Sequence, residues 1–312
     1  MAIDLSRETT GVVLNPEESE VIIAKTLEES TVMKLARRIA LPGRGLSFQT
    51  ITGEPEAAWV DETDPKPNDV HTLGTKTMRG YTLAVIEPMS NQFRRDKAAL
   101  VAELIRRLPK ALSKKFDETV LKGKSGDEPG SDFDLMDAIT KDADIETNGN
   151  YHGLVDAEEL INEDNYLVNG YAMSPKARAG LLKAVDNNNR PLFLMDLKDG
   201  DTSKVLGQPT YFSNAVGRPA SATDHLPEQY GFAADWSKAM YGVVEDVKVD
   251  ITDKATITVG GDLISLWERN MFAIRAEIEV GFIIGDTDAF VRLVGATPTA
   301  SAAKKAEKKE DK

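Results

Sequence analysis

The run Phe272-Ala-Ile-Arg-Ala-Glu-Ile-Glu-Val-Gly-Phe282 restricts this chain more than any other feature, because its apolar side chains fall on even numbers and Arg275, Glu277 and Glu279 on odd ones. Successive side chains of a strand point to opposite faces, so this strict alternation means a half-buried β-strand and excludes a helix. Val247-Lys-Val-Asp-Ile251 alternates in the same way, with its apolar residues on odd numbers. Tyr81-Thr-Leu-Ala-Val-Ile-Glu-Pro88 reads as a third strand. After Met89-Ser-Asn91 the period changes: Leu100, Leu104, Leu108 and Leu112 recur every four residues, with Val101, Ile105 and Phe116 on the same broad face. This spacing predicts the longest helix of the chain over about 93–121. Pro109 lies inside it and removes one intrahelical bond, so a kink or local irregularity is expected there. Gly123-Lys-Ser-Gly-Asp-Glu-Pro-Gly130 then ends the helix.

The flanking segments have little apolar surface of their own. Asn15 is a good N-cap, with Pro16 at the first helical position and Glu17 and Glu18 in the first turn, which predicts a helix over 16–29. A more extended basic stretch, 34–44, follows and ends at Pro42-Gly-Arg-Gly45. One short helix cannot bury itself, so this segment reads as an arm lying on something else. Between 46 and 79 two strand-like pieces, at 57–60 and 73–77, flank the acidic, Pro-containing stretch Asp61-Glu-Thr-Asp-Pro-Lys-Pro-Asn-Asp69, a long hairpin pattern. A two-stranded ribbon is marginal alone and needs a partner surface. From 133 to 235 helices and short strands alternate in a compact α+β unit, with Ser174-Pro175 opening a helix through Val185. Strands are expected at 166–172 and 205–212, and a hairpin loop at 196–201. The tail, 296–312, is of low complexity and expected to be disordered.

Composition removes several functions. Among 312 residues there is no cysteine, which excludes thiol catalysis, iron–sulfur clusters and thiolate zinc sites, and His71, His152 and His225 are too few and too scattered for an imidazole-rich metal centre. The longest apolar run, Val280-Gly-Phe-Ile-Ile-Gly285, is far too short to span a bilayer, and Met1-Ala-Ile-Asp-Leu-Ser-Arg7 has no signal-peptide pattern. With 38 Lys and Arg against 51 Asp and Glu the net charge is −13, which argues against holding nucleic acid by phosphate neutralisation. Gly123-Lys124-Ser125 imitates the end of a phosphate loop, but Glu118 stands where its first glycine belongs and the segment follows a helix where it should precede one. The carboxylates from Asp127 to Glu146 lack calcium-loop spacing. Ser221, Asp224 and His225 are too close in sequence to form a hydrolase triad. Trp236, Tyr241, Trp267 and Phe272 are expected in core or interface. No catalytic, cofactor or metal site is expected.

The order of elements, an arm, a long hairpin, a strand, one dominant helix, a compact insert and a return to long strands, resembles that of tailed-phage major capsid proteins with the Hong Kong 97-type fold. Local sequence carries the likeness. The stretch from Leu14 to Met33 is similar to that family's arm, and Ala58-Trp-Val-Asp-Glu62 to the start of its extended loop. Leu108 to Gly123, with Phe116-Asp117 and Leu121-Lys-Gly123, is similar to the end of its spine helix. Gly170-Tyr-Ala-Met-Ser-Pro175 and Leu206-Gly-Gln-Pro-Thr-Tyr-Phe-Ser-Asn214 resemble its axial domain. Asp235 to Val244 and Asn270 to Phe290 resemble the strands closing its peripheral domain.

The resemblance implies an α+β capsid fold divided into an arm (1–44), an extended hairpin loop (45–80), a peripheral domain with the spine helix (81–135), an axial domain (136–235), peripheral return strands (236–295) and a tail (296–312). It implies a structural protein, not an enzyme, that self-assembles as hexameric and pentameric capsomers of an icosahedral virion shell around packaged double-stranded DNA, without cofactor. Some members weld their shells with an isopeptide bond between a hairpin lysine and a peripheral asparagine, assisted by a glutamate; Lys66 or Lys76, Asn270 and Glu277 match those roles. The alternation puts Asn270 on the apolar parity and Glu277 on the polar one, so a bulge or turn between them would be required. No long helical scaffolding region precedes the arm, so either a separate scaffold protein is used or a leader has been removed; the separate scaffold is expected, with portal and decoration proteins as further partners. The alternatives are an encapsulin-like compartment shell and an acidic cytoplasmic hydrolase. For a container, −13 fits a lining that does not bind its DNA tightly, and no membrane contact is expected.

Overall fold

The computed structural model describes residues 30–52, 59–60, 66, 72–96, 98–123, 129–130, 132–134, 136–146, 150–185, 188, 190, 204–221 and 226–295. The expected helix at 16–29, the loop at 196–201, the tail at 296–312 and the positions of Asp224 and His225 lie outside these residues. In chain order the elements are α1 (Thr31–Leu35), β1 (Arg37–Ala40), β2 (Leu46–Thr52), β3 (Thr72–Met78), β4 (Tyr81–Ser90), α2 (Asn91–Asp96), α3 (Ala98–Lys122) and β5 (Asp142–Asp144). There follow α4 (Asn150–Asn162), β6 (Gly170–Met173), α5 (Pro175–Lys183), β7 (Lys204–Val205), β8 (Gln208–Phe212) and β9 (Gln229–Ala234). The last are β10 (Ala239–Thr252), β11 (Thr256–Val259), β12 (Asp262–Ser265), β13 (Met271–Ile284) and β14 (Phe290–Val294).

The alternating runs sit at the centre of a four-stranded sheet of order β1-β10-β13-β4. Tyr241 faces Phe282 and Val243 faces Val280, then two register shifts intervene, and Val249 faces Ala276 and Ile251 faces Ile274. The first pairs sum to 523 and the last to 525. Two extra residues on β10 therefore leave odd numbers opposite even ones on both sides of the shifts, with only Glu245–Glu279 out of phase between them, and the apolar face survives the bulge. Onto that face the long helix lays Leu108, Leu112, Phe116, Val120 and Leu121, all buried. Phe116 meets Phe282 and Phe133 edge to face, at centroid distances of 6.4 and 6.3 Å. α3 runs through Pro109 as one element, and Ser113 Oγ donates to the Pro109 carbonyl at 3.1 Å. Its C-terminus is fixed to the second sheet, because buried Gln229 donates through Nε2 to the Leu121 and Val216 carbonyls, both at 2.9 Å. Gly123, at φ 85, supplies the left-handed residue that stops the helix, which accounts for the glycine before Lys124 and Ser125.

The second sheet has six strands, in the order β5-β14-β9-β6-β8-β7. β6 and β9 are buried along their whole length, one face on the α3 core and the other on a cluster containing Leu154, Ile161, Tyr171, Leu181 and Val291 from α4, β6, α5 and β14. Ser174 caps α5 by accepting from Ala177 N, with Pro175 in the first turn as expected, and the helix ends at Lys183, short of Val185.

Three expectations shift. The strand at 205–212 is a small hairpin: Leu206 (φ 48) and Gly207 (φ 84) form a two-residue turn between β7 and β8, a geometry favoured where both central residues have positive φ. The hairpin strand expected at 57–60 lies partly outside the described residues, with Trp59 and Val60 not in a strand, and the strand that pairs with Thr72–Met78 is Leu46–Thr52. β-Branched Thr50, Ile51 and Thr52 supply the strand preference. Finally, 236–295 does not return to one sheet: Phe290–Val294 pairs with β9 and β5 in the six-stranded sheet.

Candidate assembly surfaces

Two segments are fixed to this body at described roots: the hairpin of β2 and β3, and the arm base at Ser30–Met33. The hairpin is anchored by Met78, fully buried over the sheet face opposite α3. Gly242 and Gly281 are register partners across β10 and β13. A Cβ on Gly281 would lie 2.5 Å from the Arg79 carbonyl oxygen and 2.9 Å from Met78 Cγ; one on Gly242 would lie 2.8 Å from Leu41 Cβ and 2.9 Å from Met78 Sδ. The paired glycines are thus a floor that lets the hairpin base touch the sheet backbone. Leu41, Met78 and Ile283 form a small core there, joined by Ile39, Phe48, Met240 and Val244. At its edge Lys76 Nζ donates to the Ile284 carbonyl at 2.6 Å and pairs with Asp134 at 3.5 Å.

The arm is anchored by one carboxylate. Asp117, 2% exposed on α3, accepts from Ser30 Oγ at 2.5 Å, Thr31 N at 2.7 Å and Val32 N at 3.3 Å, and Ser30 Oγ accepts in turn from Met33 N at 3.1 Å. Asp117 therefore occupies the N-terminus of α1, where the amides lack intrahelical partners. Burial pushes its carboxyl up to about 6, against the opposing pull of the Ser30, Thr31 and Val32 donors and the Lys34 charge.

The residues matched to isopeptide chemistry are not gathered within one chain. Asn270 lies in the turn before β13 at φ 52, exposed, its Oδ1 accepting from Asn91 Nδ2 at 3.0 Å. Glu277 sits mid-strand opposite Lys248 and Ala84, 3.3 Å from the Arg275 guanidinium. Seven steps of extended chain separate them, roughly 23 Å. The turn that the parity required is thus the one containing Asn270 itself, and it does not shorten that distance. Lys66 is exposed, and the Lys76 amine is engaged at the Ile284 carbonyl. Of the four aromatics, Trp236, Tyr241 and Phe272 are buried, whereas Trp267 is 75% exposed beside Leu263 at 74%, and Trp59 is fully exposed.

Neither anchor was assigned from the sequence. Gly281 did leave a signal, since a lone glycine inside an alternating strand marks a close backbone approach. The signal for Asp117 is an acid between Phe116 and the buried Val120 and Leu121, a charge on an apolar helix side.

A four-stranded sheet backed by one long helix, a six-stranded sheet joined to the helix end, a hairpin with a buried base and an arm base held on that helix together define the architecture of a shell-forming subunit. The comparisons agree with that class. The model of the phage capsid family matches residues 10–295. "Probable major capsid protein gp17" of Mycobacterium phage L5 is 26% identical, over 92% of this chain and 90% of the relative. "Major capsid protein" of Staphylococcus phage 80alpha is 25% identical, over 92% and 86%. Among solved structures, a chain from Mycobacterium phage Ogopogo superposes with TM-score 0.73 at 18% identity, covering 86% of this chain and 92% of that one. A chain of the native GTA particle capsid gives 0.65 at 15%, covering 95% and 96%. The chain belongs to the phage capsid family, with the Hong Kong 97-type α+β fold, and is a structural protein.

Proposed function

We propose that this chain is the major subunit of a virion capsid, assembling as hexameric and pentameric capsomers of an icosahedral shell around packaged double-stranded DNA. The observation that carries this reading is the pair of roots: the hairpin base and the arm base are buried in the body, while beyond the hairpin root Ser47 and Gln49 of β2 and the apolar Trp59 and Val60 face solvent. Such elements gain their burial from neighbouring copies. In this arrangement the six-stranded unit, 136–235 completed by Phe290–Val294, is the axial domain at the capsomer centre, and α3 with the four-stranded sheet is the peripheral domain. A separate scaffold protein, a portal and decoration proteins are the expected partners, with assembly in the host cytoplasm. The net charge of −13 supports a container that does not grip its genome. Electron microscopy of the purified chain tests the reading: closed shells or capsomer rings are expected, and a homogeneous small monomer counts against it.

Covalent welding through Lys66 or Lys76, Asn270 and Glu277 is compatible with this geometry only between chains, given the separation of Asn270 from Glu277. The glutamate would take a proton from the lysine ammonium so that the amine attacks the asparagine carboxamide, releasing ammonia. Boiling assembled shells in detergent distinguishes the cases. A ladder above monomer mass supports the weld, and a single monomer band removes it.

A further inference from the structure

One groove of the body is left without an occupant by the contacts described above. It is ≈ 360 Å³ in volume and lies between α3 and the β4–β13 side of the sheet. Leu83, Phe116, Phe133 and Val280 line it, with Lys115 and Thr119 among its polar positions. That size is within the roughly 300–1,000 Å³ of sites that enclose a small ligand, and its apolar lining suits an aromatic side chain. We propose that this groove seats Trp59 from a second copy of the chain, the acidic hairpin tip lying along the basic side of α3. The proposal rests on the shell reading above and specifies one of its contacts.

Three observations converge on this occupant. Trp59 is fully exposed at 104%, so its own chain covers none of a large apolar ring, and Val60 beside it is 39% exposed. Its position fits delivery to another copy. The ladder from Leu46–Met78 to Thr52–Thr72 carries the hairpin about 20 Å from its root, whereas the groove begins at Tyr81, three residues past that root. Charge is the third. From 53 to 71 the tip carries six acids and one lysine, and from 106 to 115 the helix carries five cations and no acid. Arg106, Arg107, Lys110, Lys114 and Lys115 are all exposed. On a chain of net charge −13 this is a local reversal, and opposite potentials across a contact favour and orient association. An aromatic anchor in a pocket with charges at its rim is also how binding energy concentrates in interfaces.

The absence of cysteine from the full chain gives a direct test. Particles are assembled from a mixture of Val60→Cys chains and Thr119→Cys chains and oxidised mildly. A disulfide-linked dimer at least tenfold above either variant alone is expected on a non-reducing gel. Trp59→Ala should lower shell yield at least tenfold, with Trp59→Phe recovering most of it. Intact shells from the mixture with no cross-link overturn the docking while leaving the shell reading in place; failure of the unmodified chain to form shells or capsomer rings, both alone and co-expressed with its scaffold, overturns the shell reading itself. Capture of Thr119→Cys by Ser19→Cys in place of Val60→Cys assigns the groove to the acidic N-terminal segment and overturns the proposal. Maleimide labelling of Thr119→Cys that appears only after nuclease treatment assigns it to nucleic acid, with the same consequence.

Discussion

The two projections are rooted by opposite physics. At the hairpin base a buried methionine lies on two paired glycines, and the contact is dispersion and desolvated area with the polar contacts of Lys76 at its edge. At the arm base one buried carboxylate collects a hydroxyl and two amides from a five-residue helix. A packed root is tolerant of conditions and intolerant of shape. A carboxylate root is the reverse, since its strength depends on donors that must all be present and on the protonation of a single group. The chain therefore has one root held by shape and one that is chemically adjustable.

The strongest way to break the packed root is Gly281→Val. Its Cβ meets the Arg79 carbonyl at 2.5 Å, backbone against backbone, so no side-chain rotation relieves it. Overpacking commonly costs 1–3 kcal/mol, and this case should exceed that range, at roughly 4 kcal/mol. Denaturant unfolding of the soluble chain is the check, and a cost below about 1 kcal/mol would mean that the hairpin base lifts off easily. The matching break at the carboxylate root is Asp117→Ala, which strands two buried amides and the Ser30 hydroxyl, for about 3 kcal/mol. Asp117→Asn keeps an acceptor and should lose roughly half as much. Equal losses for the two substitutions would show that burial, not acceptance, fixes the arm.

The body was legible in the sequence to the extent that one segment's own period decides its state. The alternation at 272–282 and the four-residue leucine spacing each give a face, and the two faces meet in the structure. What was not legible depends on distant partners. Asp117 acquires its meaning from amides 85 to 86 residues away, and Gly242 from facing Gly281. The return of Phe290–Val294 to the six-stranded sheet is likewise a pairing choice, since the strand is apolar enough for either sheet and only its partners β9 and β5 decide. The candidate weld residues were chosen by likeness of position, and position along a strand does not say which copies meet.

The comparison also predicts a pH dependence at one root only. Asp117 has a folded value of about 6 against an ordinary 3.8. A group raised in this way adds stability that is complete below the unfolded value, near 3.8, and is lost as the pH rises through about 6. The shift of about two units corresponds to roughly 3 kcal/mol at most. The arm root should therefore be held more tightly at pH 4 than at pH 7. Amide-exchange protection of Thr31 and Val32 relative to intrinsic rates reads this directly, and Asp117→Asn should flatten the profile. A wild-type protection that is level from pH 4 to 7 would sink the idea.

The smallest effect is the one that most sharpens the contrast. Lys76 Nζ bonds the Ile284 carbonyl at 2.6 Å, and Asp134 Oδ2 accepts from Ile284 N at 2.9 Å, so a lysine and an aspartate bracket the last residue of β13. Geometrically this resembles the arm root, a charged group reaching main-chain partners. Its surroundings differ: the Lys76 and Asp134 side chains are 38% and 30% exposed, so water replaces whatever is lost and screens the 3.5 Å pair. Lys76→Met, which keeps the alkyl stem and removes the charge, should cost about 1 kcal/mol or less. Met78→Ala two residues away should cost about 2–3 kcal/mol. If Lys76→Met proves as damaging as Met78→Ala, the hairpin root is also held by polar contacts, and the division between a packed projection and a titratable one fails.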